Sequence, residues 1–216
     1  MLSSTGLRMP VAEISSLARS KNILCIVDGA QAAGAIKVNM KELGCDAYAT
    51  SGHKWLMGPK GTGLLYLSKE VQDIIRPMQF EESYNTYNDG NGVVNLACIL
   101  GLGKAIEYLE SAGITKAEEH NLSLRNRLYE RLSNIPGFKM VSPAVGSPLA
   151  SPMLAGLVPD TVERTSFVRM LLDKHKLCIR ATHKQWFNGI RFSCHIFNTE
   201  KEVDFAAGVL RKELGA

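Results

Sequence analysis

Residues 23–63 read ILCIVDGAQAAGAIKVNMKELGCDAYATSGHKWLMGPKGTG, short apolar runs separated by small-residue turns. The run Ile23, Leu24, Cys25, Ile26, Val27 is too short for a typical helix and stops at Asp28 and Gly29. It predicts a strand buried on both faces that delivers a carboxylate at its carboxyl end. Ligands of open α/β sheets sit just outside such strand ends, so an acid there is placed to meet a bound molecule. A second apolar piece, residues 47–50, empties into Ser51, Gly52, His53, Lys54 and Trp55. An amine enclosed by histidine, tryptophan and glycines is poorly solvated, which lowers its pKa toward nucleophilic use.

The flanking sequence continues the α/β pattern. Upstream, Pro10 suits a first helical turn, and Val11, Ile14, Leu17 and Ala18 recur at helical spacing up to about Lys21 and Asn22. Ala30, Gln31, Ala32, Ala33 and Gly34 are small enough overall to let backbone approach a ligand, and Gly44, Cys45 and Asp46 turn the chain into the second strand. Residues 58–63 form a tight loop and 64–67 a third strand, so three strand ends with small or polar side chains converge. Residues 76–95 make a long polar, aromatic and glycine-containing loop, a kind that usually has a purpose. An apolar helix over 96–109 ends by Gly113, and an amphipathic one over 114–135 stops at Pro136 and Gly137. Strands at 138–141, 153–158, 177–180 and 189–193, with a helix over 162–174, then alternate as in a small α+β domain. Thr199 and Glu202 have capping-box spacing and open the last helix. The organisation expected is a larger α/β domain in 1–95, a linking helix in 96–112 and a small α+β domain in 113–216.

Composition narrows the class. The chain has 216 residues, 45% apolar and 21% charged, as soluble globular proteins do. Its net charge of +4 is spread over alternating acids and bases, as in KAEEH and RNRLYERL, with no basic stripe for nucleic acid. Five cysteines without CxxC spacing point to reduced, mostly buried thiols in a cytoplasmic protein. No stretch approaches the roughly 18 apolar residues of a membrane span. The opening MLSSTGLRMP lacks the charged and apolar regions of a secretory signal. The histidines and cysteines have no metal-ligand spacing, so no metal is expected.

An acid at one strand tip and a lysine at the end of another are what pyridoxal 5'-phosphate requires. The lysine forms a Schiff base with the aldehyde, and the carboxylate keeps the pyridine nitrogen protonated so that the ring accepts electrons. The motifs VDGAQAAG, SGHKWLMGPKGTGLLY and IRFSCHIFNT resemble those of fold-type I, class V aminotransferases, a group that also holds cysteine desulfurases, selenocysteine lyases and isopenicillin N epimerase-like enzymes. The resemblance runs from the first residues to the last helix. It implies an α/β fold: part of a major domain with a mostly parallel sheet, followed by a smaller α+β carboxyl-terminal domain.

The resemblance also assigns roles. Lys54 would carry the cofactor and shuttle the α-proton, Asp28 would partner the pyridinium, and His53 would lie near the phosphate side. Gln31 would donate to the phenolic oxygen, Ser51 would bind the phosphate, and Arg191 would grip the α-carboxylate of an amino-acid substrate. Blander readings stand beside each: a turn lysine, a packing histidine, an aspartate that caps a turn, a solvated glutamine, an arginine in an ordinary ion pair. His183, Trp186 and Phe187 could line a side-chain pocket. A homodimer is implied, because family active sites lie between subunits. Relatives also carry an amino-terminal half, with the ring-stacking side chain and much of the phosphate site, that is not encoded here.

Two departures bear on the reaction. Desulfurases place a nucleophilic cysteine shortly before the substrate arginine, whereas ATHKQWFNGI, residues 181–190, contains none. Cys178 and Cys194 fall on expected strands and read as core residues. Gly92 and Val93 stand where a Gly-Thr pair would reach the partner subunit's phosphate. Lyase or epimerase-like chemistry is therefore expected first, then transamination, with persulfide-forming desulfuration disfavoured. The competing expectation is a catalytically inactive chain that serves as an assembly partner or a remnant.

Overall fold

Pro10, with φ of −77°, stands at the N-cap of helix α1 (Val11–Ser20), where its missing N–H costs nothing. From there the computed structural model, which describes residues 1–75 and 95–215, builds two packing units. One holds Pro10–Gly34 and Val38–Ser111, the other Met1–Met9, Ala35–Lys37 and Ala112–Ala216. Val93 and nearly all of the expected 76–95 loop lie outside the described residues.

In the first unit, strands β1 (Ile26–Asp28), β2 (Ala47–Ser51) and β3 (Gly63–Leu67) form a sheet in the order β1-β2-β3. The short helix α2 (Met40–Leu43) lies between β1 and β2 and ends on Gly44 at φ 60°. β1 and β2 run parallel, pairing Asp28 with Ala49, while β2 and β3 run antiparallel, pairing Ser51 with Gly63. The mostly parallel sheet expected from the sequence is thus not seen among the described residues. The 52–62 connection holds no helix to carry the chain across the sheet, so β3 returns beside β2 in the opposite sense. Helix α3 (Leu96–Ala112) sets Leu102 against the glycine turns at 52 and 58.

Two burial expectations fail here. β1 is not covered on both faces: Ile26 is 67% exposed, and among the described residues β1 is also an edge strand. On α1 half of the apolar stripe faces outward, Ile14 at 41% and Leu17 at 63% exposed, while Val11 and Ala18 are half-buried and Ser15 is buried and donates to Cys25 Sγ at 3.3 Å. Ile23, Leu24, Leu64, Leu65, Ile99 and Leu100 are exposed as well.

The second unit is a four-stranded antiparallel sheet, order β4-β5-β7-β6, from β4 (Lys139–Met140), β5 (Met153–Leu157), β6 (Arg180–Ala181) and β7 (Gly189–Ser193). Helices α4 (Ile114–Ser133), α5 (Arg164–His175) and α6 (Glu200–Glu213) pack with it. Leu124, Leu128 and Leu132 of α4 meet Leu154, Ile190 and Phe192 of the sheet and Leu171 and Leu210 of the other helices in one core. The residues facing away from that core include Arg191, whose Nη1 donates to Ser3 O at 2.7 Å.

Helix termini in this unit carry two predictions. The expected capping box is present: Thr199 N donates to Glu202 Oε2 at 2.7 Å, and Glu202 N donates to Thr199 Oγ1 at 3.3 Å. Thr199→Ala should therefore lower the stability of the chain by about 1 kcal/mol in urea unfolding, with Thr199→Ser close to the parent. At α5, Glu163 caps by accepting from Ser166 N at 2.7 Å and Thr165 N at 2.9 Å. The Ser166 and Thr165 N–H groups and the Ser166 hydroxyl hold this carboxyl at about 2, against an ordinary 4.5. The folded pKa lies below the unfolded one, so the cap's contribution is complete above about 4.5 and fades as pH falls toward about 2. Unfolding titrations should show the parent losing stability across that window relative to Glu163→Gln.

Candidate active site

The parallel pairing of β1 with β2 brings both carboxyl-terminal strand ends to one edge of the sheet. Asp28 lies opposite Ala49, and Ser51 follows Ala49 by two residues, so the side chains of Asp28 and Ser51 leave the same face. Gly29 N donates to Ala49 O at 2.7 Å, and Thr50 Oγ1 donates to Gly29 O at 3.2 Å, which ties the turn after β1 to β2. Only glycine fits at 29: a Cβ there would come 1.9 Å from the ring of the buried Tyr48.

Asp28 does serve as a turn cap, since its Oδ1 accepts from Ala30 N at 2.9 Å. That occupies one oxygen. Among the described residues Oδ2 has no hydrogen-bond partner, and the carboxylate is exposed. Three residues on, Gln31 Oε1 accepts from the indole Nε1 of Trp55 at 3.0 Å, leaving the amide nitrogen without a bond among the described residues.

The turn after β2 is closed by Gly52 N to Thr62 O and Gly58 N to Gly52 O, both 2.8 Å, and by Met57 N to Lys54 O at 3.0 Å. Thr62 Oγ1 donates to Pro59 O at 2.6 Å, so this hydroxyl shapes the loop. The backbone of Lys54 is thereby pinned, while its side chain makes no hydrogen bond among the described residues. The enclosure expected around the amine is absent: His53 and Lys54 are both exposed. Their neighbours Trp55 and Leu56 turn inward instead, so the apolar wall sits beneath the turn and not around the lysine. No carboxylate pairs with Lys54 among the described residues, and the hydroxyl of Ser51 and the ring of His53 make no hydrogen bond there.

These five side chains fit a pyridine aldehyde phosphate in kind: an acid for a ring nitrogen, an amine for an aldehyde, an amide donor for a phenolic oxygen, and a hydroxyl and an imidazole for a phosphate. The structure brings together Asp28, Gln31, Ser51, His53 and Lys54 on one sheet edge. Arg191 belongs to the other unit. There it lies opposite Arg180 across the β6–β7 pair, its Nε is buried without a partner, and no carboxylate pairs with it among the described residues. Burial, and then Arg180, push its pKa below the ordinary arginine value. The two arginines help to line a cavity of about 540 Å³ together with Cys178, Asn198, Glu202 and Phe205.

The cysteines partly correct the sequence reading. Cys45 and Cys194 are buried, but Cys178 is exposed, because β6 begins only at Arg180 and residues 177–179 lead into it from outside the sheet. Burial pushes the Cys194 thiol up to about 12, which keeps it protonated at neutral pH. Sequence reasoning missed the role of Trp55; its adjacency to Lys54 was visible, its bond to a residue 24 positions away was not.

In fold, the chain is an α/β protein of the fold-type I pyridoxal-phosphate kind. It is similar to the apo structure of a cysteine desulfurase from Thermococcus onnurineus NA1, with a TM-score of 0.87 and 27% identity over 98% of this chain and 57% of that one. The cysteine desulfurase CsdA of Escherichia coli is also similar, at a TM-score of 0.84 and 27% identity over 99% and 57%. The chain belongs to the class-V aminotransferase family, whose model matches residues 1–205. It is 30% identical to an isopenicillin N epimerase of Amycolatopsis lactamdurans over 98% of this chain and 58% of that protein. It is 31% identical to a probable cysteine desulfurase of Halalkalibacterium halodurans over 94% and 54%. The chain thus spans a little over half the length of these curated relatives. The family uses pyridoxal phosphate. No helix among the described residues is long and apolar enough to cross a membrane.

Proposed function

We propose that this chain carries the cofactor-holding edge of a pyridoxal-phosphate enzyme acting on an amino acid. The observation that carries the reading is the parallel β1–β2 pair, which sets Asp28 and the Lys54 turn at the same sheet end, each with a functional atom unpaired among the described residues. When bound, pyridoxal phosphate supplies an electron-accepting ring that stabilises negative charge at a substrate's α-carbon. Asp28 holds a proton on the ring nitrogen through Oδ2. Gln31 donates to the phenolic oxygen, and Ser51 and His53 bind the phosphate. Lys54 would hold the cofactor through its amine and would take and return the substrate's α-proton. Arg191, short of a carboxylate in its own unit, orients the substrate through the α-carboxylate.

Lyase or epimerase-like chemistry fits this set first and transamination next. Residues 181–190 lack a thiol and that of Cys194 is held protonated, which disfavours persulfide-forming desulfuration. In this reading residues 1–95 belong to the cofactor domain, 96–112 link and 113–216 recognise substrate in a homodimer whose mass sedimentation would report. A second reading, a chain that gains activity only when another polypeptide covers its apolar sheet face, is favoured by the exposure of Ile26 and Leu65.

The test is reductive trapping. The full chain is incubated with pyridoxal phosphate, reduced with borohydride and mapped by mass spectrometry. A pyridoxyl adduct on Lys54 alone is expected; an adduct spread evenly over the surface lysines sinks the reading.

A further inference from the structure

We infer that Trp55 is a positioning residue that fixes the amide of Gln31 as a dedicated hydrogen-bond donor. The inference rests on the proposed function, because the acceptor it serves is the phenolic oxygen of pyridoxal phosphate. An indole N–H can only donate, so at 3.0 Å from the Gln31 side chain it must face the amide oxygen, whichever way the amide is turned. Both N–H groups of Gln31 are then left at the other end. A glutamine without such a partner has a soft terminal torsion and offers its oxygen or its nitrogen with nearly equal ease. An amide oxygen turned toward a phenolate would repel it. The indole thus turns an ambivalent side chain into a donor before any ligand arrives.

Trp55 is placed to enforce this. It is 4% exposed. Its backbone lies against Gly34, within the 52–62 turn that three backbone hydrogen bonds close. Gln31 sits on the 28–34 turn, itself tied to β2 through Gly29. Donor and acceptor are therefore both mounted on fixed backbone, and only the glutamine amide has rotational freedom to lose.

Two measurements test the inference on the full chain. In the ¹⁵N-labelled protein without cofactor, the indole resonance of Trp55 is told from that of Trp186 with Trp186→Phe. Gln31→Ala should move the Trp55 resonance and speed its solvent exchange about tenfold, leaving Trp186 in place; an unmoved Trp55 signal overturns the proposal. The second measurement is a double-mutant cycle on the dissociation constant for pyridoxal phosphate. Trp55→Phe should weaken binding about fivefold in the parent but less than about twofold in Gln31→Ala, because the indole acts through the amide. Equal losses in both backgrounds make Trp55 a packing residue only and overturn the proposal. If the parent chain does not bind pyridoxal phosphate, it is the cofactor reading that fails, and the indole measurement alone decides for or against Trp55. Gln31→Ala keeps the tryptophan in place, so the first measurement does not depend on Trp55→Phe folding.

Discussion

In the proposed reading, Asp28→Asn should raise the dissociation constant for pyridoxal phosphate about 10- to 100-fold and remove most of any turnover. A charge-assisted hydrogen bond contributes about 1.5–3 kcal/mol, and each 1.4 kcal/mol is about tenfold in affinity. Asparagine is the informative replacement, because Asp28 caps a turn and, in the proposed reading, also partners the ring nitrogen. Its Oδ1 accepts from Ala30 N and holds the turn, which an amide oxygen also does. The free Oδ2 is what asparagine replaces by an uncharged donor, so the turn survives while the ring nitrogen loses its proton holder. Absorbance titration with the cofactor measures the constant, and urea unfolding checks that the fold is kept. A constant unchanged in Asp28→Asn would reduce Asp28 to a turn cap and leave the site without its acid.

The second large effect is steric. Gly34→Ala should cost about 2–4 kcal/mol in urea unfolding and abolish cofactor binding. Gly34 has φ of +87°, and a Cβ would sit 2.5 Å from the carbonyl carbon and oxygen of Trp55 and 2.7 Å from Leu56 N. Those are backbone atoms of the very turn that carries Lys54, so nothing can rotate aside, and the strain of a left-handed alanine adds to the overlap. Gly61→Ala is the control. It shares a left-handed φ of +83° but has no atom within 4 Å of the added carbon, so only the conformational term remains, about 1 kcal/mol. Equal destabilisation by the two substitutions would show that close packing between the 28–34 turn and the Lys54 turn is not what holds the edge together.

Much of this architecture is written in local chemistry. Apolar periodicity and punctuation by Pro10, Gly113, Pro136 and Thr199 locate α1, α3, α4 and α6, because those signals act within a few residues. Strand ends at Asp28 and Ser51 are legible for the same reason. What the sequence does not carry is which faces become covered. The stripe of Ile14 and Leu17 has helical spacing whether or not anything packs on it, and β1 reads as a core strand although it is an edge among the described residues. Cys178 misleads similarly: the apolar run at 177–179 ahead of Arg180 looks like a strand, but pairing starts only at Arg180. The antiparallel return of β3 depends on an absent crossover helix, and the Trp55–Gln31 bond on two turns meeting in space; neither leaves a periodic trace.

The outward-facing isoleucines and leucines of the first unit, Leu100 among them at 65% exposed, also govern how the purified polypeptide behaves in bulk. Excluded salts strengthen any contact that hides apolar surface. Ammonium sulfate should therefore bring this chain out of solution early, phenyl-substituted resin should retain it, and mild detergent or arginine in the buffer should keep it dispersed.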